Sequence, residues 1–440
     1  MPKTRSTVGL SVAGLVVAAA CSDLTKVTNV GIVEPEAIEN ATGATARYAG
    51  AYKAFVTVYT AVVQTTGTFA DEYMGTSQIG DDGDGFLTDA RRPYTAGFPT
   101  TRSVNFTTMA GTLVNLSYAT DALRTFTPNP SSRIGLMLGF TGYVETFLAE
   151  QYCSGIPFGT ITTDGKVTYG AGTTTADTYA RALAHFDSAQ IAAADSARIL
   201  NMIRIGRGRV LLDLGRFAEA RVAVAAVPTA YLFNIEYSSA TGGVPNTAFS
   251  VVNTQRWKTV GERDGGVGLN YRSANDPRVP LVNVGVGTDG VSPLLQFTRF
   301  TSLGSPIVLA TGIEARLIEA EAALQANQND AATTGTGWLG ILNSLRATAI
   351  TPALPALPDP GNFNGRVDLL FRERGFWLFL TAHRMSDLRR LVRQYGRPVN
   401  TVFPSGNWKD GLPFGTEVDF NIPLSEAPNA SFTGCIERKA

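Results

Sequence analysis

"LLDLGRFAEARVAVAAVP", residues 211–228, carries the residue pattern of a tetratricopeptide helical hairpin. Gly215 permits the left-handed backbone that commonly ends a helix, and Phe217 opens the next helical segment. Ala220 is small enough to let two helices approach closely, and Pro228 stands where the second helix would end. The segment therefore predicts two packed antiparallel helices, the unit from which stacked helical scaffolds are built.

Apolar residues recur with helical spacing on both sides of this segment. The predicted helices cover 36–66, 103–126, 132–152, 177–194, 198–214, 217–227, 307–327, 335–348, 365–380 and 383–395. Between 229 and 306 the chain is dense in Gly, Pro, Asn and Ser and predicts only short β-like pieces such as "VPLVNV".

These patterns predict a mainly α fold: a tetratricopeptide-like helix-pair scaffold with a long, loop-rich ligand-binding face. We expect one domain over 36–440, with helical pairs at about 36–227 and 307–395. The irregular region 229–306 lies between them, and a loop tail covers 397–440. Scaffolds of this kind mostly bind partners, which favours an interaction function over catalysis.

Charge and motifs argue against several classes of function. The sequence has 37 basic and 37 acidic residues, so its net charge of +0 provides no field that would attract nucleic acid. It contains no HExxH, GxSxG or CxxC motif. Of its two GxGxxG matches, 285–290 is followed by Pro293, which opposes the required helix, and 335–340 does not follow a strand. We therefore predict no enzyme activity and no cofactor.

"GDDGDG", residues 80–85, holds the only acidic cluster that suggests a metal. Asp81, Asp82 and Asp84 offer the hard oxygen ligands that Ca²⁺ prefers. The segment lacks the distal glutamate of an EF-hand loop, which favours a solvated turn. We predict no metal site, and the sequence leaves Ca²⁺ binding near these residues open.

The N-terminus has the features of an export signal. Lys3 and Arg5 precede an apolar stretch, 8–20, that is too short to span a bilayer comfortably. Three alanines then precede Cys21, which is the arrangement that bacterial lipoprotein processing acylates. We predict a lipoprotein signal peptide at 1–20, lipidation at Cys21 and a tether at 21–35; an ordinary secretory signal with an incidental cysteine is the alternative. A multiply acylated cysteine would anchor the protein firmly to a membrane.

Two further cysteines, Cys153 and Cys435, have no metal-ligand spacing. In an exported protein they could form a disulfide that closes a very long loop. Two separate buried thiols explain them equally well, and the sequence leaves both alternatives open.

"FRERGFWLFLTAHRMSDLRRL", residues 371–391, combines aromatic and charged residues. Helical spacing would place His383, Arg384 and Arg390 within reach of one carboxylate, Asp387. Such a set is either a His–Asp catalytic pair or a buried charge cluster that locks the helix against its neighbours. Because no nucleophile motif accompanies it, we favour the structural charge cluster.

The same stretch resembles the C-terminal region of the SusD/RagB family, surface lipoproteins of nutrient uptake in Gram-negative bacteria. Four more segments resemble the family in the expected order: "EQYCSGIPFG" (150–159), "NDPRVPL" (275–281), "EARLIEAEAAL" (314–324) and "FNIPLSEAPNASF" (420–432). The resemblance implies a helical fold with four tetratricopeptide-like pairs on one side and an irregular ligand side.

The resemblance also implies a function. Proteins of this family capture a nutrient, an oligosaccharide or a peptide, at the outer membrane and present it to a SusC-like TonB-dependent transporter without a chemical step. A glycan ligand would call for exposed rings, and the predicted loops offer Tyr73, Tyr94, Trp257, Tyr271 and Trp408. The alternatives are a surface glycoside hydrolase, which needs a facing carboxylate pair, and a tetratricopeptide-type adaptor with only protein partners.

Overall fold

The computed structural model describes residues 38–76, 85–93, 101–162, 166–328, 337–423 and 426–439. Helices dominate these ranges, and none of the described helices is long and apolar enough to cross a membrane. The helices are α1 Ala41–Phe69, α2 Gly85–Asp89, α3 Thr101–Phe126, α4 Ser132–Gln151, α5 Thr175–Ala192, α6 Ala197–Asp213, α7 Phe217–Val224, α8 Thr247–Asn253, α9 Gly312–Ala326, α10 Trp338–Thr348, α11 Phe363–Trp377, α12 Arg384–Arg393 and α13 Val399–Val402.

The hairpin predicted at 211–228 is confirmed as α6 and α7. Gly215 lies between them with a φ of 71°, and its N–H donates to the carbonyl of Leu212. Phe217 begins α7, and Ala220 is buried where α7 packs on α6 and α9. A left-handed residue and a small contact residue therefore produce this turn, as the sequence pattern predicts.

The helices stack in antiparallel neighbours that share one continuous core. α1 packs on α3, α4 on α5, α6 on α7 and α9 on α10. Short polar side chains begin several of them: Asn40 accepts from the N–H of Gly43, and Thr174 from that of Asp177. A Cβ on Gly142 of α4 would lie 2.9 Å from the ring of Phe186, so only glycine allows α4 and α5 to pack this closely.

Within the described ranges, the strands form five short antiparallel pairs. The β1 strand Tyr73–Gly75 pairs with β7 Lys258–Val260, β2 Ile156–Pro157 with β5 Gly172–Thr173, β3 Thr160–Ile161 with β4 Val167–Thr168, β6 Leu232–Ile235 with β10 Ile307–Thr311, and β8 Leu281–Val286 with β9 Pro293–Phe297. Residues 281–284 of the predicted "VPLVNV" piece lie in β8. The region 229–306 is mostly non-helical, but it contains α8, which is too short for a periodic pattern to reveal.

Two predicted helices have different limits in the structure. The helix predicted at 307–327 begins at Gly312, because 307–311 form β10 and the Thr311 side chain caps the helix. The helix predicted at 365–380 ends at Trp377. Leu380 and Ala382 then adopt positive φ values of 54° and 63°, so residues 378–383 form a tight turn before α12.

Candidate functional site

The turn between α11 and α12 brings two arginines of 371–391, Arg374 and Arg390, onto one buried carboxylate. Both oxygens of Asp387 accept from Arg374, at 2.9 Å each, and Oδ1 also accepts from Arg390 at 2.7 Å. Burial alone would raise the pKa of Asp387, but the two guanidinium groups hold it below its ordinary value. Asp387 is therefore a buried anion whose oxygens are fully engaged.

His383 and Arg384 do not contact this carboxylate, so the expectation that His383, Arg384 and Arg390 all reach Asp387 is wrong for two of the three. His383 is the N-cap of α12 and Arg384 its first residue, so both keep helical spacing to Asp387, but their side chains pair with carboxylates on other segments. His383 Nε2 lies 2.8 Å from Glu314 Oε1, whereas Arg384 donates to both oxygens of Asp71, at 2.6 and 2.7 Å.

His383 is buried, and its Nε2 lies 3.1 Å from Nη1 of Arg209. Desolvation lowers the pKa of His383, and the adjacent guanidinium of Arg209 lowers it further. The space among these side chains is about 10 Å³, which is room for about one water molecule. The pairs of the charge cluster connect α4, α6, α9, α11 and α12.

Three of the predicted ligand-binding rings are buried, which corrects the expectation that they are exposed. Tyr73 is 1% exposed and donates to the Ala248 carbonyl; Tyr271 is 0% exposed and packs against Phe376 and Phe379. Trp408 is also buried. Tyr73 and Tyr271 belong to the main core, whereas Trp408 packs in a smaller cluster with Ala90 and Phe414. None of the three rings presents an open face to a ligand.

A hydrogen bond to Asp89 holds Trp408 in place. Its Nε1 donates to Asp89 Oδ2 at 2.7 Å, and the same oxygen accepts from the N–H of Gly75 at 2.9 Å. Burial raises the pKa of Asp89 to about 6, against the effect of nearby Lys258. Trp408 therefore fastens the C-terminal segment to α2 and β1.

Trp257 differs from these three because it is only partly buried. It precedes β7, and its carbonyl accepts from the N–H of Thr76 at 2.7 Å; the carbonyl of Thr76 accepts in turn from Asp289. β1, β7, β8 and β9 thus form one surface, which we call the loop face. Exposed apolar side chains lie on its β8–β9 hairpin: Val282, Val284, Val286 and Val291.

Several predicted site residues lie outside the described residues. These are the lipidation site Cys21, the loop ring Tyr94, and the acidic residues Asp81, Asp82 and Asp84. Across the part of the chain that the structure describes, no group of three His, Cys, Asp or Glu side chains is arranged to hold a metal ion.

The two remaining cysteines lie together. The sulfurs of Cys153 and Cys435 are bonded as a disulfide, 2.00 Å apart. Backbone bridges reinforce the contact, since the N–H of Ser154 donates to the carbonyl of Glu437. The C-terminal tail is thereby fixed beside the end of α4.

An open cavity of about 480 Å³ lies on the helical side of the molecule, a size typical of small-ligand sites. We call it the helical cavity. α3, α4 and α5 form its helical walls, and the β3–β4 hairpin and the C-terminal tail complete it. Its lining includes Phe106, Leu113, Val114, Tyr118, Glu145, Phe158, Ile161, Val167, Tyr169, Arg181, His185, Glu426 and Asn429.

The polar groups of the helical cavity centre on Glu145. This residue of α4 is 1% exposed, and its Oε2 lies 2.7 Å from Nδ1 of His185. Arg181 Nη2 lies 3.3 Å from Oε1, and the Arg181 guanidinium stacks 4.2 Å from the ring centre of Phe158. Asn429 of the tail donates to the carbonyl of Gly170 at 2.9 Å, which closes one side.

Sequence reasoning does not find this cavity. Its lining comes from segments near 110, 145, 160, 185 and 429, which no local pattern connects. His185 is one of only two histidines in the sequence, and that scarcity is the one signal pointing to it. The pairing of His185 with Glu145, 40 residues earlier, depends on the packing of α4 against α5.

No protein-family model matches this sequence, and no curated protein matches it either. Solved structures do. A SusD superfamily protein from Bacteroides thetaiotaomicron superposes with a TM-score of 0.66 at 14% identity, covering 90% of this chain and 100% of the other. A SusD-like carbohydrate-binding protein from Bacteroides vulgatus gives a TM-score of 0.63 at 13% identity, covering 88% and 96%.

A laminarin-binding SusD-like protein matches with a TM-score of 0.58 at 12% identity, covering 90% of this chain and 99% of that protein. The matches extend over almost the whole of each relative, so the likeness concerns the complete fold and not one helical repeat. This agrees with the five segments that resemble the SusD/RagB family in order. The chain therefore has the SusD-like fold.

Proposed function

We propose that this protein is an outer-membrane lipoprotein, anchored through Cys21 and facing the cell exterior, that captures a nutrient. In this proposal it presents an oligosaccharide or a peptide to a SusC-like TonB-dependent transporter and performs no chemical step. The observation that carries the proposal is the SusD-like fold over about nine-tenths of the chain. The carbohydrate-binding and laminarin-binding relatives favour a sugar ligand.

The loop face is the proposed place of nutrient binding. Trp257 is the predicted ring that the structure leaves partly accessible there, and Tyr94 stays a prediction. Apolar side chains of the β8–β9 hairpin add a surface against which the apolar face of a sugar ring could pack. We do not propose Tyr73, Tyr271 and Trp408 as ligand-binding residues, because their side chains are buried.

A binding assay with Trp257→Ala tests this proposal. The purified protein is titrated calorimetrically with a panel of oligosaccharides and peptides, and we expect one class to bind saturably. Loss of a stacking ring should weaken that binding by about tenfold or more, since aromatic contacts contribute on the order of 1–3 kcal/mol. Tyr169→Ala is the matched control, because Tyr169 is an exposed ring that does not belong to the loop face.

Two outcomes would contradict the proposal. Absence of binding to every member of the panel would favour an adaptor with protein partners only. Release of reducing ends or cleaved peptides during incubation would show a chemical step and favour a hydrolase. Unchanged binding in both variants would leave the function standing but move the nutrient site away from Trp257.

A further inference from the structure

We propose that the helical cavity is a second ligand site, and that it takes small organic cations with an apolar body, such as protonated arylalkylamines. This goes beyond the nutrient site proposed above, because the cavity shares no lining residue with the loop face. The inference rests on three features: an apolar wall with an uncovered ring, a buried carboxylate with an oxygen that lacks a hydrogen bond, and a second carboxylate without an ion-pair partner among the described residues.

The wall of the cavity suits an apolar body. Leu113 and Val114 of α3 face Phe158 and the β3–β4 hairpin across the space. Tyr169, directly after that hairpin, is 59% exposed, so its ring is open to a ligand. Burying such a ring and a small apolar ligand against each other removes apolar surface from water, which favours binding.

Glu145 supplies the buried carboxylate. Its Oε2 is satisfied by His185, whereas Oε1 is buried and lies 3.3 Å from Arg181 Nη2 without a hydrogen bond. A buried carboxylate oxygen that lacks a donor costs free energy, so such groups call for a partner. A ligand with N–H donors would supply that partner from the cavity side.

Arg181 shows that a cation fits this environment. Its guanidinium stacks on Phe158 and pairs with Glu145, in the ring-and-carboxylate arrangement that attracts organic cations. The side chain is 46% exposed, so it is held from one side only. A ligand ammonium group can use the same two kinds of contact deeper in the cavity.

Glu426 leaves the cavity with an uncompensated negative charge. No described side chain pairs with its carboxylate, and burial raises its pKa without any opposing cation. Among the lining residues, Arg181 and His185 are the only basic groups, and both already contact Glu145. The charges of the lining side chains therefore favour a positively charged ligand over an anion.

Benzylamine, benzyl alcohol and benzoate test the proposal, because they share one ring and differ in charge. Calorimetric titration of the full chain at neutral pH should show saturable binding of benzylamine, about tenfold tighter than that of benzyl alcohol. That ratio corresponds to about 1.4 kcal/mol. Benzoate should bind more weakly than either.

Variants assign the binding to the cavity. Glu426→Gln and Tyr169→Ala should each weaken benzylamine binding by about tenfold, through the lost charge and the lost ring contact respectively. Glu437→Gln is the matched control, because Glu437 lies on the same tail but does not line the cavity. Trp257→Ala should also leave benzylamine binding unchanged. Far-ultraviolet circular dichroism establishes that each variant is folded.

The proposal is overturned if benzylamine fails to bind at millimolar concentration, or if amine and alcohol bind equally. It is also overturned if Glu426→Gln and Glu437→Gln behave alike. A neutral oligosaccharide whose binding is lost in Tyr169→Ala and kept in Trp257→Ala would assign the cavity to the nutrient instead. That result would support the proposed nutrient capture and contradict the proposed cation site.

Discussion

A substitution at Asp387 gives the sharpest test of the prediction that the charged residues of 371–391 form a structural cluster. Asp387→Asn keeps the shape of the side chain but removes the charge that faces the buried guanidinium groups of Arg374 and Arg390. Removing one partner from a buried ion pair typically costs about 3–5 kcal/mol. We expect the free energy of unfolding, measured in urea, to fall by about this amount.

Asp121→Asn is the control for this substitution. Asp121 pairs with Arg124 on the surface of α3, at 3.6 Å, with both side chains largely exposed. An exposed pair contributes about 0–1 kcal/mol, so this variant should unfold almost like the parent protein. Equal losses in the two variants would show that the cluster around Asp387 has no special structural role.

We predict that Glu72 makes the stability of the folded protein depend on pH in an unusual direction. Burial raises its pKa to about 8 from an ordinary 4.5, and one of its oxygens accepts from the N–H of Leu380. The folded protein therefore keeps a proton that the unfolded chain releases, so this contribution to stability declines as pH rises from about 5 to about 8. Glu72→Gln does not titrate and keeps the acceptor.

The stability of Glu72→Gln relative to the parent protein should therefore increase with pH. Over that interval we expect a gain on the order of 3 kcal/mol, from urea unfolding at a series of pH values. A difference that stays constant across the series would show that Glu72 is ionised in the folded protein.

At the scale of elements, the α6–α7 hairpin depends on the backbone of one glycine. Gly215→Ala would place a side chain on a residue with positive φ, and no atom lies close enough to its Cβ to add a clash. The cost should therefore be purely conformational, about 1–2 kcal/mol. Gly50→Ala is the matched control, since Gly50 lies inside α1 with open space around it.

The two alanine variants should change stability in opposite directions. Gly50→Ala should stabilise the protein by about 0.5–1 kcal/mol, because alanine is the better helix former. The thermal unfolding temperatures of the two variants, compared with that of the parent protein, give the direction of each stability change. If Gly215→Ala proved as stable as Gly50→Ala, the turn of the hairpin would not require a left-handed residue.

At the scale of the whole molecule, the Cys153–Cys435 disulfide joins residues 282 apart in sequence. Replacing both cysteines by serine should lower the free energy of unfolding by about 2–5 kcal/mol, because the unfolded chain loses a constraint. We expect lower thermal stability and faster proteolytic removal of the tail. Cys21→Ser is the control and should melt like the parent protein; a double variant that does the same would contradict the prediction.

Much of the helical fold could be predicted from the sequence. The residues that specify the α6–α7 hairpin stand close together, so Gly215, Phe217 and Ala220 reveal it locally. The helix boundaries were harder to predict from the sequence. The start of α9 at Gly312 follows from the pairing of β10 with β6, two strands far apart in the chain. The end of α11 likewise depends on a turn whose Leu380 N–H is bound by distant Glu72.

The candidate sites were less predictable than the fold. His383 and Arg384 stand out in the sequence, yet their partners Glu314 and Asp71 lie on other elements. Tyr73 and Tyr271 look like exposed loop rings because loops usually lie on the surface. Their burial is decided by the elements that fold over them.

The sequence by itself determined the helical hairpins, their order and the likeness to SusD/RagB proteins, because periodicity, caps and small contact residues act over a few positions. Only the tertiary structure decided which charges meet, which rings are buried and that a cavity opens between α3, α4 and α5. Those outcomes depend on contacts between segments tens to hundreds of residues apart. The free energy of such contacts is set by packing and desolvation, which no local pattern records.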